Sequence, residues 1–156
     1  MNRELQNLVD QFLTILHLYS VIGRKPIDYG TGDKLFFTEI RTIATVGKSG
    51  EINMTRLAEK MSVTRGAISQ TVRKLMSKNL MERSNEESRK EIIIRLTQKG
   101  QAAYKGQQAF LWELFTFAET LYDRATPQDR ELVKGLFEAI INNMHERVDA
   151  LQGGKS

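Results

Sequence analysis

The sequence predicts a mainly helical fold with one small β-hairpin, in which a helix–turn–helix unit precedes the hairpin and long helices flank both. Three observations carry this expectation. Apolar residues recur at helical spacing near both ends of the chain, beginning with Leu5, Leu8, Phe12, Ile15, Leu16 and Tyr19. The central stretch "INMTRLAEKMSVTRGAISQTVRKLMSKNL" holds two short helical patterns separated by Ser62 and Val63. Beyond it, "LMER" and "KEIIIRL" flank the polar run "SNEESR", which reads as two strands and their turn. With 156 residues, 40% hydrophobic content and 2 prolines, the chain fits a single domain over 1–156 rich in long helices.

The first helix is expected from about Glu4 to Ile22. "GRKPIDYGTGDK" then supplies Gly, Pro and Asp breakers, so 23–34 reads as a loop with "GTGDK" as an isolated turn. A second helix follows from about Phe36 to Val46, with Phe37, Ile40, Ile43 and Ala44 on one side, and "GKSGE" is expected to end it. Asn53 is a suitable N-cap for a short third helix, Met54 to Met61, whose Leu57, Ala58 and Met61 point inward. Thr64 caps the fourth helix. It stops near Lys78, because Asn79 is among the few non-glycine residues suited to a left-handed C-terminal position. Thr97 caps a long fifth helix carrying Ala102, Phe110, Leu111, Leu114, Phe115, Ala118, Leu121 and Tyr122. "TPQDRELV" opens the sixth, with Thr126 as N-cap, Pro127 in the first helical position and Asp129 in the first turn. That helix runs to about Leu151, leaving "QGGKS" as a tail.

Charge is unevenly distributed. The formal net charge is +4, yet Met54 to Gly100 alone carries 11 Lys and Arg against 5 Asp and Glu, a net of +6. A basic surface this local is typical of nucleic-acid modules. The chain has no cysteine, which excludes disulfides and thiol nucleophiles and leaves a zinc site without its usual donors. His17 and His145 fall in helices at opposite ends and read as packing or interface residues. The final "GGKS" resembles the end of a phosphate loop, but Asp149 stands where the earlier glycine is required and no strand precedes it. No catalytic constellation, cofactor or metal is therefore expected. "MNRELQNLVDQF" has acids where a secretory signal needs an apolar run, and no stretch approaches a membrane span, so a soluble cytoplasmic protein with no membrane partner is expected.

The fourth helix raises a sharper question. At about 100° per residue, placing Arg65 at zero puts Ser69, Arg73, Gly66, Ser77 and Gln70 within roughly the next 140°. Thr71, Leu75, Ile68 and Val72 fill the arc from about 240° to 340°, and Met76 adjoins it near 20°. The polar face lacks any acid. A third helix joined by a tight turn crosses behind it, the arrangement that holds a recognition helix in a major groove. Arg reaches guanine O6 and N7, Gln reads adenine or a phosphate, and Ser bonds to either. Gly66 lets the backbone approach phosphates beside free N–H groups. A polar helix face alone is usually only solvated; the conjunction with the turn, the cap and a hairpin bearing Arg83, Arg89, Lys90 and Arg95 favours DNA.

The stretch "INMTRLAEKMSVTRGAISQTVRKLMSKNLMERSNEESRKEIIIRLTQKG" resembles the winged helix-turn-helix of the MarR family of transcription regulators. "LAEKM" corresponds to the support helix, "TRGAISQTVRKL" to the recognition helix, and "NLMER" and "IIIRLTQKG" open and close the wing. Family members commonly place Asp before the wing-tip Arg, where this chain has Ser88 before Arg89, and glycine is usual where Asn79 stands.

The resemblance implies a winged core over 36–97, flanked by N- and C-terminal dimerisation helices at 1–22 and 100–151. The broad apolar faces of those helices, such as Leu136, Phe137, Ile140 and Ile141 on the sixth, also ask for a partner. A homodimer would set two recognition helices about one DNA turn apart on a palindromic operator of double-stranded DNA. The candidate DNA-binding set is Thr64, Arg65, Gly66, Ser69, Gln70, Arg73, Lys74, Arg89 and Lys90. A small aromatic effector, also implied by the family, would sit near His17, Tyr19, Tyr29 and Arg41, residues that core-edge or loop packing explains equally well. The expected function is a dimeric transcription regulator, a repressor relieved by such a ligand. The alternative is a winged-helix protein-interaction module without DNA binding.

Overall fold

The computed structural model describes residues 2–84 and 91–153. The elements in chain order are α1 (Arg3–Gly23), β1 (Ile27–Asp28), β2 (Lys34–Leu35), α2 (Phe37–Ser49), β3 (Glu51–Asn53), α3 (Met54–Met61), α4 (Arg65–Ser77), β4 (Met81–Arg83), β5 (Ile93–Leu96), α5 (Gln98–Arg124) and α6 (Pro127–Gly153). Two compact units divide the chain, 1–110 and 111–156. No helix among the described residues is long and apolar enough to cross a membrane.

The first unit holds the core. Ile40, Ile43 and Val46 of α2, Leu57 and Ala58 of α3, and Ile68, Val72 and Leu75 of α4 are buried together with Leu80, Met81 and Ile94. The expected inward faces of α3 and α4 are therefore the observed ones. The turn between them is tight because Ser62 adopts a left-handed conformation (φ 53°), with its N–H donating to Glu59 O and the Val63 N–H to Ala58 O. Asn79 closes α4 in the same way (φ 57°). The side chains of Asn53 and Thr64 accept from the N–H groups of Arg56 and Ala67, at 2.8 and 3.2 Å, as N-caps should. Thr97 Oγ1 likewise accepts from the Gly100 N–H at 3.0 Å.

Three expectations are corrected. The loop at 23–34 contains a short antiparallel pairing, Ile27 with Leu35 and Asp28 with Lys34. Its turn is held by Asp28 Oδ1, which accepts from the N–H groups of Gly30, Thr31 and Gly32, with both glycines at positive φ. The second helix ends within "GKSGE", as expected, but runs past Val46 through Gly47 to Ser49. Gly47 stays helical because its bare face takes the Tyr104 ring, which would stand 2.6 Å from a Cβ there; Gly50, at φ 72°, is the actual terminator. Finally, the hairpin is the larger part of a three-stranded antiparallel sheet in the order β3-β5-β4. Three residues between Gly50 and α3 are too few to show a strand period, and only pairing with β5 reveals them.

In this sheet Ile94 and Leu96 face the core while Arg95 points outward, directly opposite both Glu51 and Glu82. Arg95 Nε donates to Glu82 Oε1 at 2.8 Å. The start of α5 lies directly on the backbone of Leu80, where a Cβ at Gly100 would overlap the Leu80 carbonyl oxygen.

Glu39 is the buried acid of the unit, 3% exposed. It sits in the first turn of α2, where Phe36 has no oxygen with which to cap, and its Oε2 accepts from the Phe36 N–H at 2.8 Å. Oε1 accepts from Lys78 Nζ at 2.8 Å and lies 3.3 Å from Lys74 Nζ. Burial pushes this carboxyl up, but the hydrogen bonds from Lys78 and the Phe36 N–H, with the charge of Lys78, outweigh it and hold it below the ordinary carboxylate range.

The second unit contains the end of α5 and α6. Thr126 and Asp129 form a reciprocal cap: Asp129 Oδ2 accepts from the Thr126 N–H and hydroxyl, and Thr126 Oγ1 from the Asp129 N–H. These bonds hold the exposed Asp129 carboxyl below its usual value. Arg130 lies over the Tyr122 ring at 4.2 Å. The sixth helix runs to Gly153, two residues beyond the expected end.

Two measurements check this packing. Glu39→Gln should cost about 1.5–3 kcal/mol in denaturant unfolding near neutral pH, the range for a hydrogen bond to a charged group. Because the folded-state value is depressed, the contribution is complete above the ordinary carboxyl range of about pH 4 to 4.5 and is lost as pH falls through the lower folded value. Parent and variant should therefore converge in acid. Gly100→Ala should destabilise by about 3 kcal/mol, since the new methyl meets backbone that cannot move aside.

Candidate nucleic-acid interface

The interface is built on α4 and the sheet beside it. Burial of Ile68, Val72 and Leu75 fixes the rotation of α4, and the consequence is that Arg65, Gly66, Gln70 and Arg73 are exposed and Ser69 half-buried. Thr64, also exposed, is tied to the helix through its cap. Arg73 Nε donates to Ser69 O at 3.3 Å, which lays that side chain along its own helix. No packing demand explains Gly66: a Cβ there would meet only Thr64 Oγ1 at 3.9 Å.

Arg65 also borders a cleft of about 350 Å³ lined by Asn53, Met54, Thr55, Glu91 and Ile92. Here Asn53 has a second role. Its Oδ1 caps α3 while its Nδ2 donates to Glu91 Oε2 at 2.6 Å, so one side chain ties the helix start to the returning strand. Ser84 Oγ donates to Glu51 Oε1 at 3.1 Å on the same sheet. Arg89 and Lys90 lie outside the described residues, as does the pair Ser88 and Arg89.

Lys74 stands apart from the rest of the candidate set. Its ammonium pairs with Glu39 and lies 5.1 Å from the centre of the Phe36 ring, on the side of α4 away from Arg65. Glu39, Phe36 and Lys78, which complete this cluster, were not among the sequence candidates. The available signal was an acid three residues after the α2 cap position, obscured because that cap is a phenylalanine.

Of the candidate effector residues, Tyr19 and Arg41 are brought together by Phe37. The Tyr19 and Phe37 rings meet edge to face at 5.2 Å, and the Arg41 guanidinium lies 5.7 Å from the Phe37 centroid. Tyr29 is buried edge-on to Phe110 at 5.8 Å. Burial, with the nearby Tyr19, pushes its phenol above the usual value. His17 is exposed and two positions from Tyr19, so it occupies a different side of α1. Among the described residues no group of three His, Asp or Glu is placed to hold a metal ion.

Comparison with known proteins agrees with this geometry. Residues 37–92 match the family model described as the MarR family. The uncharacterized HTH-type transcriptional regulator YhjH of Bacillus subtilis is 26% identical over 137 residues, covering 82% of this chain and 74% of YhjH. Among solved structures, wild-type Lactococcus lactis ZitR in complex with DNA superposes with a TM-score of 0.68 at 17% identity, over 92% of this chain and 99% of that one. Streptococcus pneumoniae FabT in complex with DNA gives 0.66 at 19% identity, over 92% and 96%. The fold, the family match and the YhjH relationship agree: residues 37–92 match the MarR family model, and the chain is similar to an HTH-type transcriptional regulator and shares the fold of ZitR and FabT.

Proposed function

We propose that the protein is a homodimeric, sequence-specific DNA-binding regulator that sets α4 in the major groove of a palindromic operator and its wing, residues 80–96, against the minor groove or backbone. The observation that carries this reading is the division of α4 into a buried apolar seam and an exposed face holding Arg65, Gly66, Gln70 and Arg73 without an acid. ZitR and FabT, which share the fold, have been solved with DNA. Arg65 and Gln70 suit base edges, Ser69 and Arg73 bases or phosphates, and Thr64 and Gly66 bring the helix N-terminus close to the backbone. Arg89 and Lys90 serve the wing, with Arg89 entering a narrow minor groove. Lys74 acts on the helix itself, through Glu39.

A second copy accounts for the terminal helices. Neither α1 nor α6 has a buried residue among those described, and α6 leaves Leu132 73% and Leu136 58% exposed. Apolar stripes of this extent need a partner, and a two-fold pair matches the symmetry of a palindrome. Occupying an operator blocks access to it, so the regulator is a repressor working in the cytoplasm. Relief by a small aromatic ligand is supported by the Tyr19, Phe37 and Arg41 cluster, which offers ring edges and a guanidinium, with Tyr29 nearby.

Duplex binding should weaken steeply with salt, because phosphate contacts release counterions; a salt-independent affinity would exclude the DNA reading and favour a protein-interaction module. In binding-site selection, Arg65→Ala and Gln70→Ala should each cost about 1–3 kcal/mol and relax preference at one position, whereas Arg89→Ala should weaken all sequences and shallow the salt slope. Unchanged preferences in both folded α4 variants would show that this face is only solvated. For the dimer, sedimentation of Leu136→Asp should give a folded monomer, since burying an unpaired charge at an interface costs several kcal/mol, on the order of 2–7. A parent that sediments as a stable monomer would overturn the assignment.

A further inference from the structure

The residues proposed to read DNA lie in the first turns of α4, whereas the far end of that helix is held by one buried carboxylate. Glu39 receives the Phe36 N–H on one oxygen and Lys78 Nζ on the other, with Lys74 Nζ 3.3 Å from that same second oxygen. Lys74 and Lys78 are one turn apart and therefore stacked on one side of the helix. Counted from Arg65 at about 100° per residue, they fall near 180° and 220°, just beyond the Gln70 edge of the exposed face at about 140°. Lys78 Nζ also donates to Lys34 O at 3.2 Å. Lys99 Nζ, paired with Asp33 at 2.6 Å, donates to Lys78 O at 3.3 Å. The C-terminal end of α4 is thus moored to α2 and to the β1–β2 turn by charge-assisted bonds, each with a defined direction. Apolar packing alone lets a helix slide or roll slightly, but directional bonds at its end do not.

On the DNA-binding reading above, we propose that Glu39 is a positioning residue for sequence recognition: through Lys74 and Lys78 it fixes the rotation and depth of α4, and by pairing their charge it weakens the sequence-blind attraction of both lysines to phosphates. Glu39 touches no base. Its effect is on the ratio of specific to non-specific binding. Free lysines at this end of the helix would raise affinity for any duplex, while a loosened α4 would lower affinity for the chosen one.

The test compares parent, Glu39→Gln, Lys78→Met and the double variant on the duplex selected by the parent and on a scrambled duplex, across a salt series. Amide hydrogen exchange of α4 is measured in parallel without DNA. In Glu39→Gln, affinity for the selected duplex should fall about tenfold, the equivalent of one charge-assisted hydrogen bond. Affinity for the scrambled duplex should hold or rise, and its salt slope should steepen by about one to two. Lys78→Met should lose specific affinity without a steeper slope, and the double variant should be no worse than the weaker single, because both break one linkage. Amides in the last two turns of α4 should exchange faster in Glu39→Gln while those of α3 do not. A folded Glu39→Gln with the parental ratio and slope overturns the proposal, and so does unchanged protection of α4. Should Glu39→Gln fail to fold, Lys78→Met decides: a lowered ratio supports the proposal and an unchanged ratio rejects it. If the parent selects no duplex, the DNA reading itself fails, and hydrogen exchange still decides whether Glu39 moors α4.

Discussion

Burial of one apolar seam on α4 is the constraint on which the rest of the first unit depends. Ile68, Val72 and Leu75 are almost fully buried, and at helical spacing they define a single stripe. A helix with one stripe has one rotation that buries it. The polar residues between those positions are then directed outward as a consequence, whatever their own interactions. This is why Arg65, Gln70 and Arg73 are exposed and, among the described residues, are not restrained by a partner across the fold, apart from the bond Arg73 makes to its own helix. Side chains so free are available for a ligand.

The seam sets rotation, but other interactions set where the helix begins and ends. At its start, the left-handed Ser62 and the Thr64 cap turn the chain sharply out of α3. At its end, the left-handed Asn79 releases the chain into Leu80, on whose backbone the bare face of Gly100 rests. Between these lies the Glu39 cluster, where buried charge joins α2 to α4. Its energetics are favourable because the carboxylate is fully hydrogen-bonded while both lysines keep some contact with water, so the desolvation cost of a wholly buried pair is avoided. The same economy appears at Asn53, whose amide caps α3 with its oxygen and holds Glu91 with its nitrogen.

The terminal helices obey a different rule. They are regular and well capped, yet bury nothing by themselves among the described residues of α1 and α6. Helices stable in water usually owe that stability to packing rather than propensity. Their exposed leucines and aromatics are therefore an unmet demand of the single chain.

Much of this was legible in the sequence where the signal is local. The caps at Asn53, Thr64, Thr97 and Thr126, the left-handed Asn79 and the inward faces of α3 and α4 each depend on residues within a few positions of one another, so spacing and residue type suffice to find them. The exposed polar face of α4 followed from the same arithmetic. What only the tertiary structure decided are features whose cause lies elsewhere in the chain. β3 exists because β5 pairs with it, α2 continues through Gly47 because Tyr104 fills the bare side of that residue, and Lys74 pairs with a carboxylate, Glu39, that stands 35 residues away. A local pattern records a residue's preference, whereas contacts between distant segments decide which preference is met.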